Sequence, residues 1–248
     1  MRVVDLFCGC GGFSLGFDYL EDFELVYALD NWDVACKSYK ANFPKVDVDC
    51  RDALEVKPSE IPRTDVIIGG PPCQEFSVTN TKFRNYEEPN LDLVNWFFSV
   101  VAYHKATFQT KFWIMENVPL LKKHIQGGNY RKDIFRMKDF GVPQIRKRLF
   151  AGNYETPRKE PTKIHFPAVC ASEWKGVAKN MRRLADKFKR RCLIPEAKLV
   201  QTFPLDFIVL GKLKDQYIQI GNAVPPLFAY RLAEALVNPS QTKLVGKG

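Results

Sequence analysis

Short strand-like runs at residues 2–7, 23–29, 45–49, 65–68 and 111–115 alternate with stretches of helical spacing, and that alternation leaves few folds open to the chain. Each run is too short for a helix, and each closes on a glycine or an acidic residue or meets one within two residues. Strands separated by helices cannot pair as hairpins, so they run parallel. The expected fold class is α/β, a doubly wound, mostly parallel sheet. Sheets of this kind bind ligands beyond the carboxyl ends of their strands, so the turns that follow the runs are where chemistry is expected.

The turn after the fourth run is Gly69-Gly-Pro-Pro-Cys-Gln-Glu-Phe-Ser77. Pro71 and Pro72 have fixed φ and no N–H, so the strand stops there and Cys73 is lifted away from the sheet. A thiolate is the strongest protein nucleophile near neutral pH. Most cysteines are buried and structural, but the proline-glycine frame weighs against that reading for Cys73. The turn after the first run, Cys8-Gly-Cys-Gly-Gly-Phe13, precedes Ser14, which is expected to cap a helix through about Leu20. A dinucleotide fingerprint needs glycine where Ser14 stands, which counts against an NAD-dependent enzyme. Asp30 closes the second run at the spacing where a carboxylate meets ribose hydroxyls. Asp33 then opens a helix, and Asp52 follows the third run. Glu116 follows the fifth run, at the same edge of the sheet as Cys73.

Residues 79–90 have loop composition and are a candidate lid beside Cys73. Leu91–Ala102 has helical spacing. In Gly141–Arg148, Arg146 and Arg148 are two apart and would share one face of a strand. From Asn153 to Arg190 the periodicity fades and basic residues gather at Arg182, Arg183, Lys187, Lys189, Arg190 and Arg191. The domains expected are a catalytic and cofactor-binding domain over 1–152, completed by 218–248, and a small lobe over 153–217. A last helix is expected over Leu227–Val237.

The net charge of +9 is unevenly placed. Residues 1–100 carry 9 Lys and Arg against 17 Asp and Glu, and residues 101–248 carry 28 against 11. The second part would attract a polyanion such as nucleic acid. Seven cysteines form no C-x-x-C pair, which argues against a disulfide framework or a zinc ribbon. With no apolar run of membrane length and no signal-peptide pattern, no membrane contact is expected, and the location expected is cytoplasmic, on the nucleoid.

Taken in order, DLFCGCGGF, Asp30, Asp52, GGPPCQEFS, MENVP, GVPQIRKR, QTFPLDF and QIGNAVPP resemble the cytosine-5 DNA methyltransferase family over nearly the whole chain. The resemblance implies a Rossmann-like S-adenosylmethionine-dependent fold. It implies that Cys73 adds to carbon 6 of a flipped cytosine, that Glu116 contacts ring nitrogen 3, and that Arg148, with Arg146, serves the same base. The same carry-over implies a cofactor site at Phe7, Gly9, Gly11, Gly12, Phe13, Asp30, Asn31, Asp52, Ala53, Pro72, Leu91, Asn222 and Ala223. Gln74, Ser77, Arg182, Arg183 and Arg190 would contact nucleic acid. The implied cofactor is S-adenosylmethionine with no metal. Implied partners are double-stranded DNA and a cognate restriction endonuclease, with the chain a monomer. Cytosine methylation of a structured RNA such as tRNA uses the same chemistry and is the alternative; a non-catalytic nucleic-acid-binding relative would lack Cys73 or Glu116.

Three departures stand out. Between Pro119 and Gly141 there is little room for the helix and strand the family usually fits. Asn31 stands where some relatives place tryptophan, leaving the adenine-stacking partner open, with Trp32 next to it. In QTFPLDF, Thr202 replaces a usual glycine.

Overall fold

The computed structural model describes residues 1–72, 89–125, 127–175 and 184–238. Among them β1 (Arg2–Leu6), β2 (Glu24–Leu29), β3 (Asp47–Asp49), β4 (Val66–Gly69), β5 (Phe112–Asn117), β6 (Arg131–Arg136) and β7 (Lys147–Gly152) form one sheet in the order β3-β2-β1-β4-β5-β7-β6. Neighbours from β3 to β5 pair parallel, and β7 enters antiparallel between β5 and β6. The sheet is doubly wound and mostly parallel, as expected. Its strand order reverses between β1 and β4, which opens a crevice at the carboxyl ends of those two strands.

Alternation along the strands feeds two apolar layers. On one face Val3, Val66, Ile68 and Ile114 pack with Phe13 and Phe17 of α1 (Gly12–Asp18) and Phe228 and Leu232 of α7 (Pro226–Val237). On the other, Val4, Ile67 and Met115 meet Phe97, Val100 and Val101 of α3 (Asp92–Phe108). Helices α1 and α7 touch backbone to backbone: a Cβ on Gly16 would lie 2.3 Å from the amide nitrogen of Tyr230. The other helices are α2 (Asp33–Asn42), α4 (Leu184–Phe188), α5 (Ile194–Gln201) and α6 (Leu213–Asn222). Within the stretch expected as a second lobe, Tyr154, Val169, Phe203, Phe207 and Tyr217 are buried in the same cluster as Phe13 and Phe17.

Several expectations shift. Ser14 does not cap α1; Gly11, at φ 98°, turns the chain earlier than a side-chain cap would, and Ser14 lies inside the helix. Its hydroxyl donates to Asp5 Oδ2 at 2.7 Å. The link from β5 to β6 holds a 3₁₀ turn, Pro119–Lys123, and no α-helix among its described residues, but β6 itself is complete. Thr202 occupies a left-handed position, φ 69°, which explains the usual glycine there. A β-branched residue is strained in that conformation; here its Oγ1 offsets the strain by accepting the amide of Leu227 at 3.0 Å, fixing the start of α7.

Candidate active site

The crevice is shaped first by the turn after β1. Phe7 and Gly9 both have positive φ, 63° and 54°. For phenylalanine this is a strained backbone, of the kind that clusters at ligand sites, and its ring is held edge-on to Trp96 at 5.5 Å. The amide of Gly9 donates to Asp30 Oδ2 at 2.8 Å, and the amide of Trp32 to Oδ1 at 2.9 Å. Asp30 thus ties the turn after β1 to the turn after β2. Burial raises its carboxyl above the ordinary range, while these two amides pull it back. Asp5 at the root of the turn is almost fully buried, and burial pushes its carboxyl up to about 7 against the opposing Ser14 hydrogen bond.

A cavity of about 690 Å³ fills the crevice. One end is walled by Phe7, Gly9, Gly12, Phe13, Asp30, Asn31, Asp52, Ala53, Asn222 and Ala223, and the other by Gly70, Pro71, Pro72, Glu116, Asn117 and Arg148. At Gly9 a Cβ would meet no atom within 4 Å, so it would stand in the space a ligand needs. Gly11 is different: a Cβ there would come within 2.5 Å of the Phe43 ring, so this glycine serves packing under α1 and does not line the cavity. Leu91 is also displaced from its expected role, since it precedes α3 and packs on the core, while Leu93 lines the cavity. Trp32 lines it as well, joined by Asp5, Arg51, Asn117 and Gln219, which sequence reasoning missed. Asn117 had a signal in its position after Glu116. Arg51 had none.

At the far end Arg148 Nε lies 2.9 Å from Glu116 Oε1, an ion pair with both side chains largely withdrawn from solvent. Gly70 lies beside this carboxylate, and a Cβ there would come into ordinary contact with Glu116 Oε2, at 3.4 Å. Asn117 Nδ2 donates to the carbonyl of Pro71 at 2.9 Å, while its Oδ1 accepts the amide of Val118. The end of β5 is therefore fastened to the proline turn after β4. Two adjacent turns hold an acid and a cation at one wall of the cavity.

Arg146 does not join them. It precedes β7, is 2% exposed, and spends its guanidinium on backbone carbonyls: Val169 at 3.2 Å, Gly221 at 2.8 Å, Asn222 at 3.4 Å and Ala223 at 3.3 Å. Burial, with the charge of Arg148 adding to it, lowers its pKa to about 9, which still leaves it charged at neutral pH. Arg146 stands just before β7 and Arg148 within it, and of the two only Arg148 lines the cavity. Arg146 clamps the segment at Val169 to the cavity wall at Asn222 and Ala223. Arg146→Met is therefore expected to cost about 3–5 kcal/mol of stability by stranding four carbonyls and a packed site. For a chain of this size that is a fall of about 10 °C in Tm. An unchanged melting curve with lost activity would return Arg146 to the chemistry.

Cys73, Gln74, Ser77, Arg182 and Arg183, together with residues 79–88 of the candidate lid over 79–90, lie outside the described residues. Arg190 is described, and it is engaged: its guanidinium pairs with Glu196 and lies over the Phe188 ring. A phosphate would have to compete with that carboxylate. Among the described residues no group of three metal-ligating side chains gathers, and no helix is long and apolar enough to cross a membrane.

The family model described as C-5 cytosine-specific DNA methylase matches residues 1–167 and 153–238. The chain is 30% identical over 328 aligned positions to the type II methyltransferase M1.HphI of Haemophilus parahaemolyticus, covering 96% of this chain and 87% of that protein. It is 31% identical to the type II methyltransferase M.HindV of Haemophilus influenzae, covering 96% and 97%. Among solved structures it resembles the methyltransferase EhMeth of Entamoeba histolytica, with a TM-score of 0.67 at 18% identity over 97% of this chain and 98% of that one, a likeness of fold.

Proposed function

The chain belongs to the C-5 cytosine-specific DNA methylase family, and from that premise we propose that it moves a methyl group from S-adenosylmethionine to carbon 5 of a cytosine flipped out of double-stranded DNA, through a covalent adduct on Cys73. The observation that carries the reading is the single cavity with the Asp30 and Asp52 turns at one end and Glu116, Arg148 and Pro72 at the other, Pro72 being the residue before Cys73. The open space above Gly9 and the polar groups of Asp30, Asn31 and Asp52 suit a nucleoside donor. When bound, S-adenosylmethionine supplies an electrophilic methyl group.

The remaining steps belong to this chain's side chains. The Cys73 thiolate adds to carbon 6, forming an S–C bond and making carbon 5 nucleophilic. Glu116 supplies a proton at nitrogen 3 as charge develops, and Arg148 places a positive charge beside the same edge of the base. Once carbon 5 carries the methyl group, water takes its proton, the C–H electron pair re-forms the double bond as the S–C bond breaks to release the thiolate, and nitrogen 3 returns its proton to Glu116. A paired base cannot reach such a cavity, so the nucleotide must leave the stack.

Incubation with labelled methyl donor is expected to place label in duplex DNA as 5-methylcytosine and none in tRNA. Label in tRNA alone would move the substrate to structured RNA. Donor binding without transfer to either would make the chain a non-catalytic relative. Sequencing DNA from cells expressing the protein, with 5-methylcytosine detection, would then give the target. A cognate endonuclease sharing that target is the proposed partner, and a monomer on the nucleoid the proposed working form.

The basic stretch between Asn153 and Arg190 is proposed to hold DNA mainly through phosphate oxygens, which position the protein without reading sequence. If about six phosphates are contacted, log affinity falls with log salt at a slope near −5. Replacing Arg182 and Arg183 together is expected to flatten that slope and weaken all sequences alike. A slope near zero in a salt titration, or a long, strictly read methylation site, would move recognition elsewhere.

A further inference from the structure

Between the two ends of the cavity lies β1, and the side chain it contributes there is an acid. In the sheet order β3-β2-β1-β4-β5, Asp52 comes after β3, Asp30 after β2 and Gly70 after β4, and Glu116 lies in β5. Asp5, in register with Ala28 of β2 and Ile68 of β4, stands on the middle strand of these five and lines the cavity. It is also tethered. With Asp5 ionised, the Ser14 hydroxyl gives its one proton to Asp5 Oδ2 at 2.7 Å, so the Tyr39 hydroxyl, 2.7 Å from Ser14 Oγ, donates in turn to Ser14. Side chains of α1 and α2 thus hold a carboxylate that is 1% exposed.

Charge in the cavity is unbalanced. Arg51 is matched by Asp49 and Glu60, and Arg148 by Glu116. Asp5 pairs with no Lys or Arg among the described residues, and the charge that acts on it is that of Asp30, of the same sign.

We propose that Asp5 is the counter-charge for the sulfonium of the methyl donor and sets the preference of the pocket for S-adenosylmethionine over S-adenosylhomocysteine. The proposal rests on the donor reading of the cavity. A donor with its nucleoside at Asp30 and Asp52 and its methyl group toward Glu116 and Arg148 has its sulfur between them, on the side of β1. That sulfur is positive. Loss of the methyl group returns the electron pair of the S–C bond to it and leaves a neutral thioether, while the ammonium and carboxylate of the two molecules are the same. A carboxylate fixed in an interior of low dielectric therefore attracts the donor more than the product. Transfer removes the attraction, which favours exchange of product for fresh donor.

The charge state of Asp5 supplies the readout. Burial pushes its carboxyl up to about 7, so it passes from acid to anion across neutral pH. The titratable groups around it are Cys8 and Cys10 in the turn, Tyr39 of α2 and Asp30. Burial holds both thiols and Tyr39 above their ordinary ranges, so these three stay neutral through that change. Asp30 is retained in the variants below.

The test is calorimetric titration of the full chain with S-adenosylmethionine and with S-adenosylhomocysteine between pH values of about 6 and about 8.5. In wild type the ratio of the two affinities is expected to move about tenfold toward the donor as pH rises, the scale of one opposite charge roughly 10 Å away at an effective dielectric constant of about 20. Asp5→Asn keeps the size of the side chain and an oxygen for Ser14, and should hold the ratio at its acid value at every pH. Ser14→Ala withdraws a hydrogen bond that favours the anion, so the same rise should appear at higher pH. A wild-type ratio that ignores pH, or Asp5→Asn weakening both ligands equally, would make Asp5 a structural tie of the turn and overturn the proposal. Should Asp5→Asn fail to fold, a Ser14→Ala rise at the wild-type pH would overturn it instead. Wild type that binds neither ligand would overturn the donor reading, and the counter-charge with it, whereas both ligands binding at a fixed ratio would overturn the counter-charge alone.

Discussion

Cys73→Ala is expected to abolish methyl transfer while leaving donor binding within about twofold of wild type. The asymmetry follows from where the groups lie. The proposed donor contacts come from the turns after β1, β2 and β3 and from the end of α6, each of which is held by its own hydrogen bonds. None of those bonds involves Cys73. Without the sulfur, carbon 5 of cytosine stays part of a conjugated ring and a poor nucleophile, so positioning alone cannot supply the rate. Transfer of labelled methyl groups to DNA, set beside a calorimetric titration with the donor, measures both halves. A variant that still methylates near the wild-type rate would remove the nucleophile assignment. In wild type, 5-fluorocytosine at the target should trap a covalent complex, since fluorine cannot leave as a proton does.

Glu116→Gln is expected to slow the chemical step by about 10² to 10⁴, the usual cost of losing one general acid or base, with little change in DNA affinity. Glutamine keeps the size of the side chain and can still donate a hydrogen bond to a ring nitrogen. It cannot transfer a proton. It also leaves Arg148 without its ion pair 2.9 Å away, so the guanidinium faces the cavity less restrained. Single-turnover rates measured with saturating DNA separate these effects from binding. Equal losses in affinity and rate would make Glu116 a binding residue.

Much of this arrangement was legible in the chain because the parallel strands β1, β2, β4 and β5 are mostly buried and lead into turns marked by glycine, proline or acid. Their turns then had to fall at one edge of the sheet, and the cavity gathers eleven of the thirteen residues expected to hold the cofactor. Strand β6 was hidden because Arg-Lys-Asp-Ile-Phe-Arg has one buried side chain, Phe135, in keeping with an edge strand guarded by charge. Helix α6 was hidden by its ending, where Asn222 runs into Val224-Pro-Pro226 and reads as loop. The carbonyls that hold Arg146 were not legible because they come from Val169 and from Gly221 to Ala223, distant in sequence. Nor does spacing separate Gly9, which leaves room for a ligand, from Gly11, which leaves room for Phe43.

The contact between α1 and α7 sets a timetable for the protein in the cell. Gly12 and Gly16 are pressed against Val224 and Ala229, and Gln219, Asn222 and Ala223 wall the cavity that the first strands begin. During synthesis the glycine turn emerges early, but its covering helix follows more than two hundred residues later. At about 5–20 residues per second that is a delay on the order of tens of seconds. Throughout it the apolar face of α1 has no lid, and the nascent chain has no complete donor pocket. Methylation capacity therefore arises all at once, when α7 docks, and a ribosome stalled before Pro226 would carry all seven strands of the sheet and no enzyme.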